Sequence, residues 1–172
     1  PDDIHPRILK ELSNEIAYPI FLIFQSSFSC SHVPEGWKIA NVSPIHKKGA
    51  KNEKVNYRPI SLTSIVCRIM EKIIKEAIVD HFLTNNLFSP DQYGFRKYRS
   101  CLLQLLEALE DWTSYLDKGD AIDIIYFDFS KAFDSVSHKL LLTKLKMYGI
   151  TGKLYDWIAK VMQSNRYLYE II

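Results

Sequence analysis

Ile124-Ile125-Tyr126-Phe127-Asp128-Phe129-Ser130-Lys131-Ala132-Phe133-Asp134-Ser135-Val136 is the stretch around which the chain is organised. From Ile122 to Phe127 the residues are apolar and β-branched or aromatic, broken only by Asp123. That composition predicts a buried strand. The strand runs straight into Asp128, with Asp134 six residues on. A carboxylate at the end of a buried strand stays ionised only with a partner. A divalent cation is one such partner; a plain strand cap leading into a turn is the other reading.

The surrounding chain has 172 residues, enough for one domain or part of a larger one, and its 47% hydrophobic content suffices for a packed core. No apolar run reaches the ~18 residues of a membrane span. Ile16 to Phe28 is the most apolar stretch, but Pro19 and Gln25 interrupt it and nothing frames it as a signal peptide. Cys30, Cys67 and Cys101 are scattered and lack zinc spacing. They read as reduced thiols of an intracellular protein, in nucleus or cytoplasm. The net charge of +2 hides an uneven distribution: nine Lys or Arg against Glu53 and Glu71 between Lys38 and Lys75, then seven acids against Lys118 between Glu107 and Asp128. A basic segment followed by an acidic one suggests a phosphate-binding half and a cation-binding half.

Before the central stretch, a helix capped by Asp3 starts near His5-Pro6, and a second runs from about Glu15 to Ser29, with Pro19 tolerable near its start. Val33-Pro34-Glu35-Gly36-Trp37-Lys38 is a turn that exposes or half-buries Trp37. Ile39 to Ile45 and Tyr57 to Leu62 read as short strands, edge-like because of Pro44 and Pro59, joined by the polar loop Ala50 to Asn56. Such a hairpin can close over an anion or stand as an ordinary solvated hairpin. Thr63 or Ser64 caps a helix reaching about Thr84. Ser89 to Ser100 is a loop interleaving cations and aromatics, a pattern that suits a nucleic-acid strand or an ordinary surface loop. A helix from Ser100 to Lys118 presents Leu102, Leu105, Leu106, Leu109, Trp112 and Leu116 as its core face and stops at Gly119. Beyond the central stretch come helices over about His138 to Tyr148 and from a Thr151 cap to Gln163, and the start of a strand after Asn165.

Phe127-Asp-Phe-Ser-Lys-Ala-Phe-Asp-Ser-Val136 resembles the first palm motif of reverse transcriptases of jockey-like, non-LTR retrotransposons. Val33-Pro-Glu-Gly-Trp-Lys38, Pro44-Ile-His-Lys-Lys-Gly49 and Asn56-Tyr-Arg-Pro-Ile-Ser-Leu62 resemble the fingers of the same family, and Gln92-Tyr-Gly-Phe-Arg96 its template and primer path. The chain departs from that pattern at Tyr98, where Gly is common, and at Cys101, where Thr is common. A Gly serving a φ > 0 turn there would leave Tyr98 strained, or the turn different.

The resemblance implies an α/β (α+β) fold: the fingers and partial palm of a right-hand polymerase, helix-rich with short antiparallel strands. It implies fingers and fingers-palm helices over 1–119 and a partial palm over 120–172, without the paired-aspartate hairpin or the thumb. The implied activity is RNA-directed DNA polymerase, a nucleotidyltransferase using an RNA template, a DNA primer and deoxynucleoside triphosphates, with no membrane. Two Mg²⁺ ions ~3.5–4 Å apart would assist the transfer. Asp128 would supply the catalytic metal carboxylate and Phe129 a carbonyl ligand. Lys47 or Lys48, together with Arg58, would contact the triphosphate, as would the backbone from Lys131 through Ala132 to Phe133. Phe133 would lie under the sugar, and Asp134 would organise the turn. Gln92, Gly94, Phe95, Arg96, Lys97 and Arg99 would line the nucleic-acid path. The alternative is a non-catalytic nucleic-acid-binding or vestigial fragment.

Overall fold

The computed structural model describes residues 4–129, 132, 135–163 and the backbone of 169–171. The chain forms two compact units, Pro1–Asp80 with Ser137–Ile172, and His81–Val136. The elements are α1 (Pro6–Glu11), α2 (Ser13–Ser29), β1 (Ala40–His46), β2 (Tyr57–Thr63), α3 (Ile65–Thr84), α4 (Cys101–Asp117), α5 (His138–Met147), α6 (Gly152–Gln163) and β3 (Tyr169–Ile171), with 3₁₀ turns at Glu35–Trp37 and Lys54–Asn56. A helix-rich mixed α/β fragment is what the sequence leads one to expect.

In the first unit, α1 is capped by His5, whose Nδ1 accepts from the Arg7 N–H at 3.2 Å; Asp3 lies outside the described residues. Helix α2 begins two residues earlier than the pattern indicates, so Pro19 sits in its interior rather than near its start. The helix continues through it, and the Glu15 carbonyl goes without the N–H that any other residue at position 19 would offer. The Val33–Lys38 turn buries Trp37 instead of exposing it, its ring edge-on to Phe24 with centroids 6.0 Å apart. Around it the core is Val33, Ala40, Cys67, Met70, Ile150, Trp157 and Ile158. Ser27 is buried among them and fully used: its hydroxyl donates to the His32 carbonyl (2.6 Å) and accepts from Trp157 Nε1 (3.1 Å), tying α2, its exit turn and α6.

The sheet order is β2-β1-β3, with β1 antiparallel to β2 and parallel to β3. The parallel pairing adds to the antiparallel strands that the sequence suggests. It also makes β1 central, where a proline is normally excluded. The conflict is local: among the described residues β3 pairs with Ala40, Asn41 and Val42 and not with Pro44. On the other side, Pro44 faces Pro59. The Lys47 N–H donates to the Asn56 carbonyl at 2.7 Å. Counting alternately back from that bonded pair makes Ile45–Arg58 bonded and both His46–Tyr57 and Pro44–Pro59 non-bonded. Both missing donors therefore fall where the ladder needs none.

In the second unit, the end of α3 turns at Asn86 (φ 53°), and Phe82 packs on Phe88 with centroids 5.3 Å apart. Ser100 caps α4 through the Leu103 N–H (3.2 Å), and Gly119 (φ 82°) ends it as expected. Two expectations fail here. The proposed core face of α4 is uncovered: none of its residues is buried, and Leu102, Leu105, Leu106, Leu109 and Leu116 are all more than half exposed. The stretch 121–129 forms no regular strand, and Ile125, Tyr126 and Phe127 are 74%, 82% and 85% exposed. A strand needs a neighbour to receive its N–H and C=O groups. No described residue pairs with this stretch, so its composition expresses a preference for burial that has nothing to act on.

Candidate functional site

The hairpin loop is held by its own hydrogen bonds. Gly49 takes φ 81°, and a Cβ there would lie 2.6 Å from Asn56 Nδ2. That amide donates to the Ala50 carbonyl (2.8 Å) and to Glu53 (3.3 Å), while His46 Nε2 meets the Gly49 carbonyl at 3.0 Å. The segment Ala50 to Asn56, which reads as mobile from its polarity, is thus a hydrogen-bonded turn. It brings Lys47, Lys48 and Arg58 to one end of the hairpin, all exposed. Side chains alternate across a ladder. Ile45, Arg58 and, through its bonded pairing with Asn56, Lys47 therefore share one face.

The Ser89–Ser100 loop organises its own cations. Arg96 is half-buried, donates to the Ser89 and Gln92 carbonyls (3.1 and 3.4 Å) and lies over Phe88 (5.1 Å). Arg99 lies over Tyr93 (4.6 Å) and Lys97 over Tyr98 (5.0 Å). Gln92 Nε2 donates to the Gly94 carbonyl at 3.0 Å. Phe95 and Tyr98 both adopt left-handed backbone, φ 60° and 63°, and both rings are 85% exposed. Tyr98, the departure from glycine, thus occupies the conformation that favours glycine. Arg96 shapes the loop; Phe95, Lys97 and Arg99 face outward.

Asp128 and Phe129 lie in the irregular stretch, both exposed. The burial argument for a cation at Asp128 therefore does not hold in this chain. Ala132 is exposed in a turn. Lys131, Phe133 and Asp134 lie outside the described residues. Mg²⁺ takes oxygen ligands in near-octahedral geometry. Asp128 fits as one such donor, but among the described residues no three His, Cys, Asp or Glu side chains converge. Asp128 would offer such a site one carboxylate, and the described residues do not complete it. Among them, too, no helix is long and apolar enough to cross a membrane.

What the sequence reading missed is the other face of the hairpin. Pro44, Pro59 and Tyr57 line an open cleft of about 360 Å³ with Lys51, Asn52, Glu53 and Lys54. The signal was available: Pro44 and Pro59, like His46 and Tyr57, stand at matched distances from the loop centre.

Residues 45–171 match the family described as reverse transcriptase (RNA-dependent DNA polymerase). The chain belongs to the reverse transcriptase family. It is similar to the probable RNA-directed DNA polymerase from transposon BS of Drosophila melanogaster, 25% identical over 171 residues, 99% of this chain and 19% of that protein. It is 30% identical over 160 residues to the probable RNA-directed DNA polymerase from transposon X-element of the same organism, covering 92% of this chain and 18% of that protein. To the RNA-directed DNA polymerase from mobile element jockey, also of Drosophila melanogaster, it is 28% identical over 146 residues, 84% of this chain and 16% of the relative. The jockey-like resemblance of the reverse transcriptase motifs is borne out. The chain spans less than a fifth of the length of these curated relatives.

Proposed function

We propose that this chain supplies the fingers (1–119) and the first part of the palm (120–172) of a retrotransposon RNA-directed DNA polymerase. Residues 45–171 matching the reverse transcriptase family carries the proposal. The hairpin register supports it, because Lys47 and Arg58 share one exposed face at one end. A point-charge Lys beside a planar Arg neutralises a triphosphate, and the guanidinium can also stack on a base. The family resemblance also assigns triphosphate contacts to the backbone of Lys131, Ala132 and Phe133, and the sugar to Phe133, in a complete polymerase. The outward residues Phe95, Lys97 and Arg99 meet template and primer, positioned by Gln92, Gly94 and Arg96.

Asp128 and the Phe129 carbonyl are this chain's ligands to Mg²⁺, and further carboxylates come from the remainder of a complete polymerase. When bound, the ions stabilise the attacking and leaving oxygens of phosphoryl transfer. The chain's own cations hold and orient the triphosphate, which converts a bimolecular step into a positioned one. The test is Asp128→Asn in a full-length polymerase carrying this segment. Removing the carboxylate's charge while keeping its shape should lower primer extension on RNA by at least 100-fold, with the circular dichroism spectrum unchanged. Extension within a few fold of wild type would make Asp128 a turn residue and favour a binding-only role for the segment.

A further inference from the structure

We propose that the face of the β1–β2 hairpin opposite Arg58 holds one nucleotide of single-stranded nucleic acid, stacked on a proline–tyrosine platform and held by Lys51 and Lys54. The inference rests on the polymerase reading of the chain, and it adds a second contact on the side away from the triphosphate. Pro44–Pro59 and His46–Tyr57 are neighbouring pairs on this face. Both are non-bonded pairs, the kind in which opposite side chains stand closest. They form one continuous surface of two pyrrolidine rings and an aromatic ring.

The Tyr57 ring is fixed at two points. Its hydroxyl donates to the Lys51 carbonyl at 2.8 Å, and the His46 ring meets it edge-on with centroids 5.4 Å apart. A ring already ordered loses little freedom when a base stacks on it. The cleft of about 360 Å³ is open and lies within the range of small-ligand sites. Stacking on a π-face tolerates every base, as non-specific single-strand binding requires.

Charge selects the occupant. The cleft's own lining carries Lys51 and Lys54 against one acid, Glu53. Glu53 is also taken up by the Asn56 amide. A proline-rich peptide would use the same rings but has no need of this cationic rim. A nucleic-acid strand uses both, its base the rings and its phosphates the rim.

The experiment measures binding of a short single-stranded RNA and of the same strand with abasic sites, by fluorescence anisotropy over a salt series. Lys51→Ala with Lys54→Ala changes exposed loop positions and should reduce the log–log salt slope by about 0.7 for each lost phosphate contact. Tyr57→Leu should weaken RNA binding roughly 10-fold, within the ~1–3 kcal/mol of a base–aromatic stack, and leave the abasic strand unaffected. Tyr57→Phe keeps the ring and should bind within about 2-fold of wild type. An unchanged slope in the lysine variant, equal losses on both strands, or competition by a proline-rich peptide would overturn the proposal. In a full-length polymerase the lysine pair should leave KM for deoxynucleotides unchanged. Extension that persists alongside an unchanged salt slope would remove this site and leave the polymerase reading intact. Loss of the polymerase reading would instead show as absent extension by the wild type.

Discussion

Tyr98 stands where the reverse transcriptase motif commonly has glycine, and its φ of 63° shows what that departure costs. A side chain in left-handed backbone is disfavoured by roughly 1–2 kcal/mol. Replacing it also removes the Lys97–Tyr98 contact, so the informative comparison is between two variants that both lack the ring. Tyr98→Gly should be more stable than Tyr98→Ala by about 1 kcal/mol in denaturant unfolding; the reverse order would mean that the turn relaxes without strain. Ser27 offers a second test at this scale. Its hydroxyl satisfies Trp157 Nε1 and the His32 carbonyl inside the core. Ser27→Ala leaves both without that partner and should cost about 1–3 kcal/mol. A melting temperature equal to wild type would show that water takes over both bonds. Tyr98 was visible in the sequence as a departure from a motif. Ser27 was not, because a serine in an apolar helix carries no mark of what reaches it from 130 positions away.

Among the elements, the β1–β2 hairpin is the most informative. Pro44 and Pro59 each suggest an edge, and the register reconciles them by setting them opposite one another at a site with no ladder bonds to lose. The same register divides the loop's cations between two faces. Replacing Lys47, Lys48 and Arg58 together by alanine should flatten the salt dependence of single-stranded RNA binding by roughly 0.7–0.9 per lost phosphate contact. In a full-length polymerase it should raise KM for deoxynucleotides. Salt titrations that superimpose on wild type would place the three side chains in solvent, out of contact with nucleic acid. Helix α4 teaches the opposite lesson. Its periodicity and both of its caps were legible, since these are local matters of spacing, a serine hydroxyl and a left-handed glycine. Its burial was not, because an apolar stripe states that a partner is wanted without supplying one.

For the whole molecule, the decisive fact is that the described residues bring one proposed metal carboxylate, Asp128, and no converging set of three. In the proposed reading the ion site needs carboxylates beyond Asp128, so the purified 172-residue chain should give no primer extension on an RNA template with Mg²⁺ or Mn²⁺. Clear extension by the purified chain would show that it completes the ion site from its own residues. The sequence by itself determined the family, through Phe127 to Val136, the fingers strings and Gln92 to Arg96, and it determined the helices and hairpin, since those depend on propensity, capping and spacing within a few residues. Only the tertiary structure decided that Trp37 is buried, that Ser27 joins α2 to α6, and that β3 lies parallel to β1. It alone left 121–129 outside any strand pairing among the described residues, although that stretch has the composition of a strand. The physical reason is the same in each case. Composition sets how strongly a segment favours burial or pairing, whereas the partner is brought by chain closure over long sequence separations, and no local pattern encodes which partner arrives.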